Sequence, residues 1–192
     1  MLPAQVVEGE ISARGRRVAI AAARFNDFVV SSLLEGAMDA WRSHGGATDD
    51  LLVARVPGAF ELPVAARKLA ISGRFEAVVA LGCVIRGDTP HFDFVAGECA
   101  RGLTLAGLET GVPVVFGVLT VNTTEQALER AAINGMNKGG ESLETALEMI
   151  SLFQPSGTAG LGHANPIRPA GHQCPLGRPA LGDAGDLSLA DQ

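Results

Sequence analysis

The stretch GCVIRGDTPHFDFV, Gly82 to Val95, carries an apolar run straight into Arg86, Gly87, Asp88, Thr89 and Pro90, and then into His91. Gly87 permits close approach of the backbone to a ligand, Thr89 is a helix-capping type, and Pro90 suits the first position of a helix. The free amides of a helix that starts there attract an anion. Arg86 to Thr89 therefore read as a phosphate cradle, with the Asp88 carboxylate required to point away from the anion. The competing reading is a capped helix start with no ligand. His91, at the second helical position, stands at the positive end of the helix. That position favours the neutral imidazole and leaves one ring nitrogen able to take a proton. Beside a phosphate, such a histidine serves as general base and then hands the proton to a departing group. The plainer alternative is a surface histidine at a helix start.

Other polar and aromatic residues stand at comparable places. VPGAFE, Val56 to Glu61, combines a Pro-Gly turn, the small Ala59, the aromatic Phe60, and Glu61 at a helix opening where a carboxylate is electrostatically welcome. Glu61 can accept hydrogen bonds from a polyol, or simply complement its helix. Phe25 can stack on a planar heterocycle, or fill the core. Arg130 and Lys138 can neutralise a phosphate or an electron-rich ring oxygen, or be ordinary surface charges. There is no GxGxxG or Walker pattern for a dinucleotide or nucleoside triphosphate, and no carboxylate pair at glycosidase or metal spacing.

These residues need a scaffold, and the apolar runs supply one. RVAIAAA from Arg17, DDLLVARV from Asp49, EAVVALGCV from Glu76 and PVVFGVLTV from Pro113 are nearly continuous in hydrophobicity, as strands buried on both faces are. Helical patterns lie between them: SSLLEGAMDAWRSHGG, ELPVAARKLAISG, and HFDFVAGECARGLTLAGLETG. TTEQ from Thr123 matches a capping box, opening a helix that is expected to end near Asn134-Gly135. A last helix is expected from about Gly140 to Phe153. Alternating strands and helices predict a parallel sheet covered on both faces, with ligands bound outside the carboxyl ends of its strands.

Composition bounds the rest. The 192 residues, 47% hydrophobic and 19% charged, are enough for one sizeable core. The net charge of −6 without a basic run argues against nucleic acid as a partner. Cys83, Cys99 and Cys174 form no zinc spacing and no even disulfide framework, which points to a reducing compartment. The first seventeen residues lack signal-peptide order and no run is long enough to span a membrane, so a cytoplasmic location is expected. Three regions follow. Residues 1–12 read as an extended arm with Val6, Val7 and Ile11 but no partner in a single sheet, so that pairing with a neighbouring subunit is expected. Residues 13–154 form the domain, and the Gly, Pro and Ala-rich residues 155–192 are predicted to be a disordered tail. His163, His172 and Cys174 within it read as incidental rather than as metal ligands.

Taken in order, ARFNDFVVSSLLEGA, VPGAFELP, ALGCVIRGDTPHFDFV, PVVFGVLTVNTTEQALERA and NKGGE resemble the lumazine synthase family, over about residues 10 to 153. The resemblance implies a flavodoxin-like α/β sandwich with a four-stranded parallel sheet. The reaction it implies is condensation of 5-amino-6-(D-ribitylamino)uracil with 3,4-dihydroxy-2-butanone 4-phosphate in riboflavin biosynthesis, without cofactor or metal. By matching motif, Phe25 would stack on the pyrimidine, and Ala59, Phe60, Glu61, Cys83, Val84 and Ile85 would line the pyrimidine and ribityl site. Asp88, Thr89 and Arg130 would hold the phosphate, His91 would shuttle protons, and Phe116 and Lys138 would complete the pocket. The family's sites lie between subunits, which would explain a pocket residue such as Phe116 within a strand.

A homo-oligomer is therefore implied, with riboflavin synthase as a further partner. The segment AAINGMNKG lacks the basic residue of many shell-forming members, which leaves pentamer, paired pentamers and sixty-subunit shell all open. Two other classes compete with an enzyme: a silent flavin or lumazine binder on the same fold, and a container shell. His91, Arg130 and Glu61 together favour the enzyme over the binder, because stacking alone needs no proton shuttle.

Overall fold

In a computed structural model, which describes residues 6–153, the four apolar runs form four parallel strands. They are β1 (Val18–Ala23), β2 (Leu51–Val56), β3 (Ala77–Ile85) and β4 (Val114–Val121), in the spatial order β2-β1-β3-β4. The central pair is the most buried. Every residue of β1 is inaccessible to solvent or nearly so, and β3 stays buried from Ala77 through Val84. This is why their sequences show no polar alternation.

Each connection between strands is helical. α1 (Asp27–Ser43), α4 (Thr124–Ala131) and α5 (Lys138–Phe153) cover one face, packing Leu33, Trp41, Leu143 and Leu147 against Ile20 and Val79. α2 (Leu62–Ala70) and α3 (His91–Thr110) cover the other, where Leu62 and Leu103 meet Val78 and Val118. The covered parallel sheet expected from the alternation, and the flavodoxin-like sandwich that the resemblance implies, are what is observed. This arrangement leaves β2 and β4 as the two edges.

Several boundaries differ from expectation, each for a local reason. α1 begins at Asp27, earlier than the apolar spacing indicated, because Asn26 takes a left-handed turn (φ 58°) that starts the helix directly after β1. Asp49 and Asp50 belong to a short 3-10 turn before β2. Thr123 caps α4 as anticipated, its hydroxyl accepting the Gln126 amide at 3.3 Å, but the Gln126 side chain accepts from Asn122 N rather than from Thr123. α4 stops at Ala131, before Asn134-Gly135, and residues 132–137 turn back so that Met136 N donates to Glu129 O at 3.1 Å. α5 starts at Lys138, because Asn137, at φ 43°, accepts the Gly140 amide at 3.2 Å and acts as its cap.

Residues 6–12 form no strand within the chain. They lie along α5, where Glu10 N donates to the Ser151 hydroxyl at 3.0 Å and Gly9 meets the Glu148 backbone. Val6 stays 76% exposed there. The anticipated tail from 155 onward, with His163, His172 and Cys174, lies outside the described residues. Among the described residues no helix is long and apolar enough to cross a membrane, and no three His, Cys, Asp or Glu side chains are grouped as metal ligands would be.

Candidate active site

β2 lies on one side of β1 and β3 on the other, so the order of strands reverses at β1 and the loops beyond the carboxyl ends part there. A concavity of about 650 Å³ opens at this point, with walls from the three loops that follow β1, β2 and β3.

The loop after β1 is held by its neighbours on both sides. Arg24 N and Phe25 N donate to Val56 O and Pro57 O at 2.8 and 3.0 Å, extending the pairing with the chain leaving β2. Asn26 Nδ2 reaches the other way, to Cys83 O at 3.0 Å. The Phe25 ring between these ties is 71% exposed, so the alternative reading of Phe25 as a core residue is excluded. An aromatic ring left in water on a rigid mount is a stacking platform.

After β2 the chain makes a 3-10 turn, Ala59–Glu61, ahead of α2. Ala59 is buried, Phe60 is exposed and Glu61 is half-buried, and all three line the concavity. Gly58 sits close against the carboxylate: a β-carbon there would lie 3.2 Å from Glu61 Oε2 and 3.9 Å from Phe25 Cβ. Cys83, Val84 and Ile85 form the floor. Burial pushes the Cys83 thiol up to about 11, so it is protonated at neutral pH and serves as an apolar surface rather than as a nucleophile.

The loop after β3 corrects two expectations. α3 begins at His91, with Pro90 preceding it, so His91 is the first helical residue rather than the second. Thr89 caps nothing, because the first turn closes tightly on Pro90, whose carbonyl accepts the Asp93 amide at 3.0 Å. Thr89 and Gly87 instead face the concavity with His91. Asp88 is exposed and lines neither this concavity nor the one described next. Arg86 likewise lines neither concavity, and its guanidinium is held by Asp93.

Phe116, Arg130 and Lys138 lie elsewhere. They line a second concavity of about 420 Å³ between the open edge of β4 and the helices α4 and α5. Phe116 is 42% exposed on that edge. Arg130 Nη1 donates to Gln126 O at 3.1 Å and Lys138 pairs with Glu141. The two concavities have no lining residue in common. Within one chain the anticipated site residues thus separate into a group of nine, a group of three, and Asp88 alone. Sequence reasoning passed over Phe92 and Phe94, which also line the first concavity, and the left-handed backbones of Asn26 and Asn137 just before α1 and α5. Asparagine after a strand or before Lys-Gly-Gly was the available signal, because asparagine tolerates positive φ.

A doubly wound α/β sandwich that opens an aromatic ring after β1, a carboxylate before α2 and a histidine at the start of α3 on one concavity can hold a small planar ligand next to an anion. Residues 15–154 match the family model described as 6,7-dimethyl-8-ribityllumazine synthase. The synthase of that name from Syntrophus aciditrophicus is 54% identical over 149 residues, covering 78% of this chain and 97% of the relative. That from Chlorobium luteolum is 50% identical over 148 residues, covering 77% and 96%. The chain belongs to the 6,7-dimethyl-8-ribityllumazine synthase family, transferases of riboflavin biosynthesis.

Proposed function

We propose that this chain condenses 5-amino-6-(D-ribitylamino)uracil with 3,4-dihydroxy-2-butanone 4-phosphate to give 6,7-dimethyl-8-ribityllumazine, phosphate and water. One observation carries the reading. In a chain of this family, Phe25, Glu61, Thr89 and His91, from three separate loops, open on one concavity of about 650 Å³.

The pyrimidine stacks on the exposed Phe25 ring, over the apolar floor of Cys83, Val84 and Ile85, and the ribityl hydroxyls donate to Glu61. The butanone phosphate lies at Thr89 and the start of α3, where backbone amides favour an anion. The 5-amino group of the uracil then attacks the ketone to form an imine with loss of one water, phosphate is eliminated, and the second amine closes the ring with loss of a second water. His91 stands at the same helix start as the phosphate. A proton removed in an early step can therefore be returned to a departing group without leaving the site.

The phosphate calls for a fixed cation, and Arg86 is engaged by Asp93. Arg130 supplies it from the second concavity of a neighbouring subunit, together with Phe116 and Lys138. The separation of the two groups within one chain supports this division of the site, as do the open edge of β4 and the exposed Phe116. A homo-oligomer, a pentamer or an assembly of pentamers, is part of the same reading. So is a cytoplasmic location, with which the free thiols of Cys83 and Cys99 agree.

The test is to supply both substrates to the assembled protein and to follow the fluorescent lumazine together with released phosphate. Formation of both, in equal amounts and dependent on both substrates, is expected. No lumazine above the uncatalysed rate would overturn the assignment.

A further inference from the structure

Arg86 is the cation closest in sequence to the phosphate loop, yet it lines neither concavity. Its Nη2 donates to Asp93 Oδ1 at 2.9 Å and its Nη1 to Oδ2 at 3.4 Å. The guanidinium carbon stands 4.1 Å from the centroid of the Phe92 ring. Both ends of this contact are anchored. Arg86 N donates to Val121 O at 2.9 Å, directly after the last paired residues of β3 and β4, and Asp93 lies in the first turn of α3. The fork therefore ties a strand end to a helix start and closes a loop of residues 87–92, of which 87–90 precede α3.

We propose that Arg86 is a positioning residue for the phosphate substrate: with Asp93 and Phe92 it forms a clasp that sets the shape of the Gly87 to Pro90 loop, and so aims Thr89 and His91 into the concavity. This rests on the placement of the phosphate at that loop under the proposed function. Charge supports the role. An unpaired Asp93 carboxylate in the first turn would repel a phosphate at the same helix end, and Arg86 cancels that repulsion. Packing supports it too, since Phe92 lines the concavity with Arg86 over its ring. A pair this exposed, 44% for Arg86 and 60% for Asp93, contributes little as a bare ion pair. Its effect here is geometric, because a planar guanidinium that is bidentate to a carboxylate and stacked on a ring at once has few alternative positions.

The experiment measures Michaelis constants for the two substrates separately, on assembled wild type, Arg86→Ala, Asp93→Ala, the double variant and Arg86→Lys. Each alanine variant should raise the constant for the butanone phosphate roughly tenfold and leave that for the pyrimidine unchanged. The double variant should be no worse than either single one, and Arg86→Lys should recover little, since it keeps the charge but loses the fork. Should an alanine variant fail to assemble, Asp93→Leu, which keeps the size but cannot accept from Arg86, carries the same test. If Arg86→Ala raises the constant while Asp93→Ala or Asp93→Leu leaves it unchanged or lowers it, then Arg86 binds the phosphate itself and the clasp is refuted. Unchanged constants in every folded variant refute it as well. A wild type that makes no lumazine is a failure of the functional assignment, whereas an active wild type with indifferent variants is a failure of the clasp alone.

Discussion

At the scale of single residues, the candidate site combines exposed groups that can meet substrate with a buried thiol that stays neutral at physiological pH. His91→Ala should lower turnover roughly 10²–10⁴-fold with pyrimidine affinity largely kept, because the stacking ring and the carboxylate sit on other loops. Steady-state rates beside a binding titration check this, and loss of binding rather than of rate would contradict the proton-shuttle role. Cys83 and Cys99 show the opposite behaviour. Burial raises each thiol from 9.0 to about 11. The unfolded chain therefore ionises first as pH rises. Stability from these two groups is complete below about pH 9 and is lost as pH climbs toward about 11. Urea midpoints should fall over that window, and less so when both are replaced by alanine. Equal slopes in parent and variant would show that other groups govern the alkaline loss.

At the scale of elements, glycine is most constrained where α5 crosses α1. A β-carbon on Gly139 would lie 1.9 Å from Leu33 O, and one on Gly36 would lie 2.2 Å from Asn137 Oδ1. Gly139→Ala should therefore cost roughly 1–3 kcal/mol by forcing the helices apart, although alanine is the better helix former in isolation. Thermal or denaturant unfolding measures it, and a variant as stable as the parent would show that α5 can shift without penalty. The sequence signalled this helix two residues late, from about Gly140, because Asn-Lys-Gly-Gly looks like a loop until a neighbour requires small residues and a left-handed asparagine. Thr123 was legible because capping is local: the hydroxyl and its amide partner are three residues apart. Thr89 misled for the same reason in reverse, since a tight turn on Pro90 starts α3 one residue later than a threonine cap requires.

At the scale of the whole molecule, two predictions concern what lies beyond one folded chain. Refolding His91→Ala subunits together with Arg130→Ala subunits should give activity above either parent, because a site between chains sometimes draws an intact His91 from one and an intact Arg130 from the other. Verified mixed assemblies that show only the average of two crippled enzymes would place both residues within a single chain's site. Truncation after Gln154 should leave assembly and turnover intact, since the family match stops at residue 154 and the motifs of the site all precede it. A large drop in turnover of correctly assembled truncated protein would assign residues 155–192 a role in the reaction.

The sequence alone determined the layer architecture, the strand identities and the loops that carry Phe25, Glu61 and His91. Continuous apolar runs, helical spacing and punctuation by glycine and proline are local properties of a chain, and the ordered motifs identified the family. Tertiary structure decided what depends on approach between distant residues. It tied Phe25 N to Pro57 O and the adjoining Asn26 side chain to Cys83 O, paired Arg86 with Asp93, and left Asp88 facing solvent. It also set Phe116, Arg130 and Lys138 on the far edge of the sheet, in a concavity of their own. The reason is physical. A side chain's direction follows from the backbone that mounts it and from the partners that reach it, and those partners come from segments far along the chain.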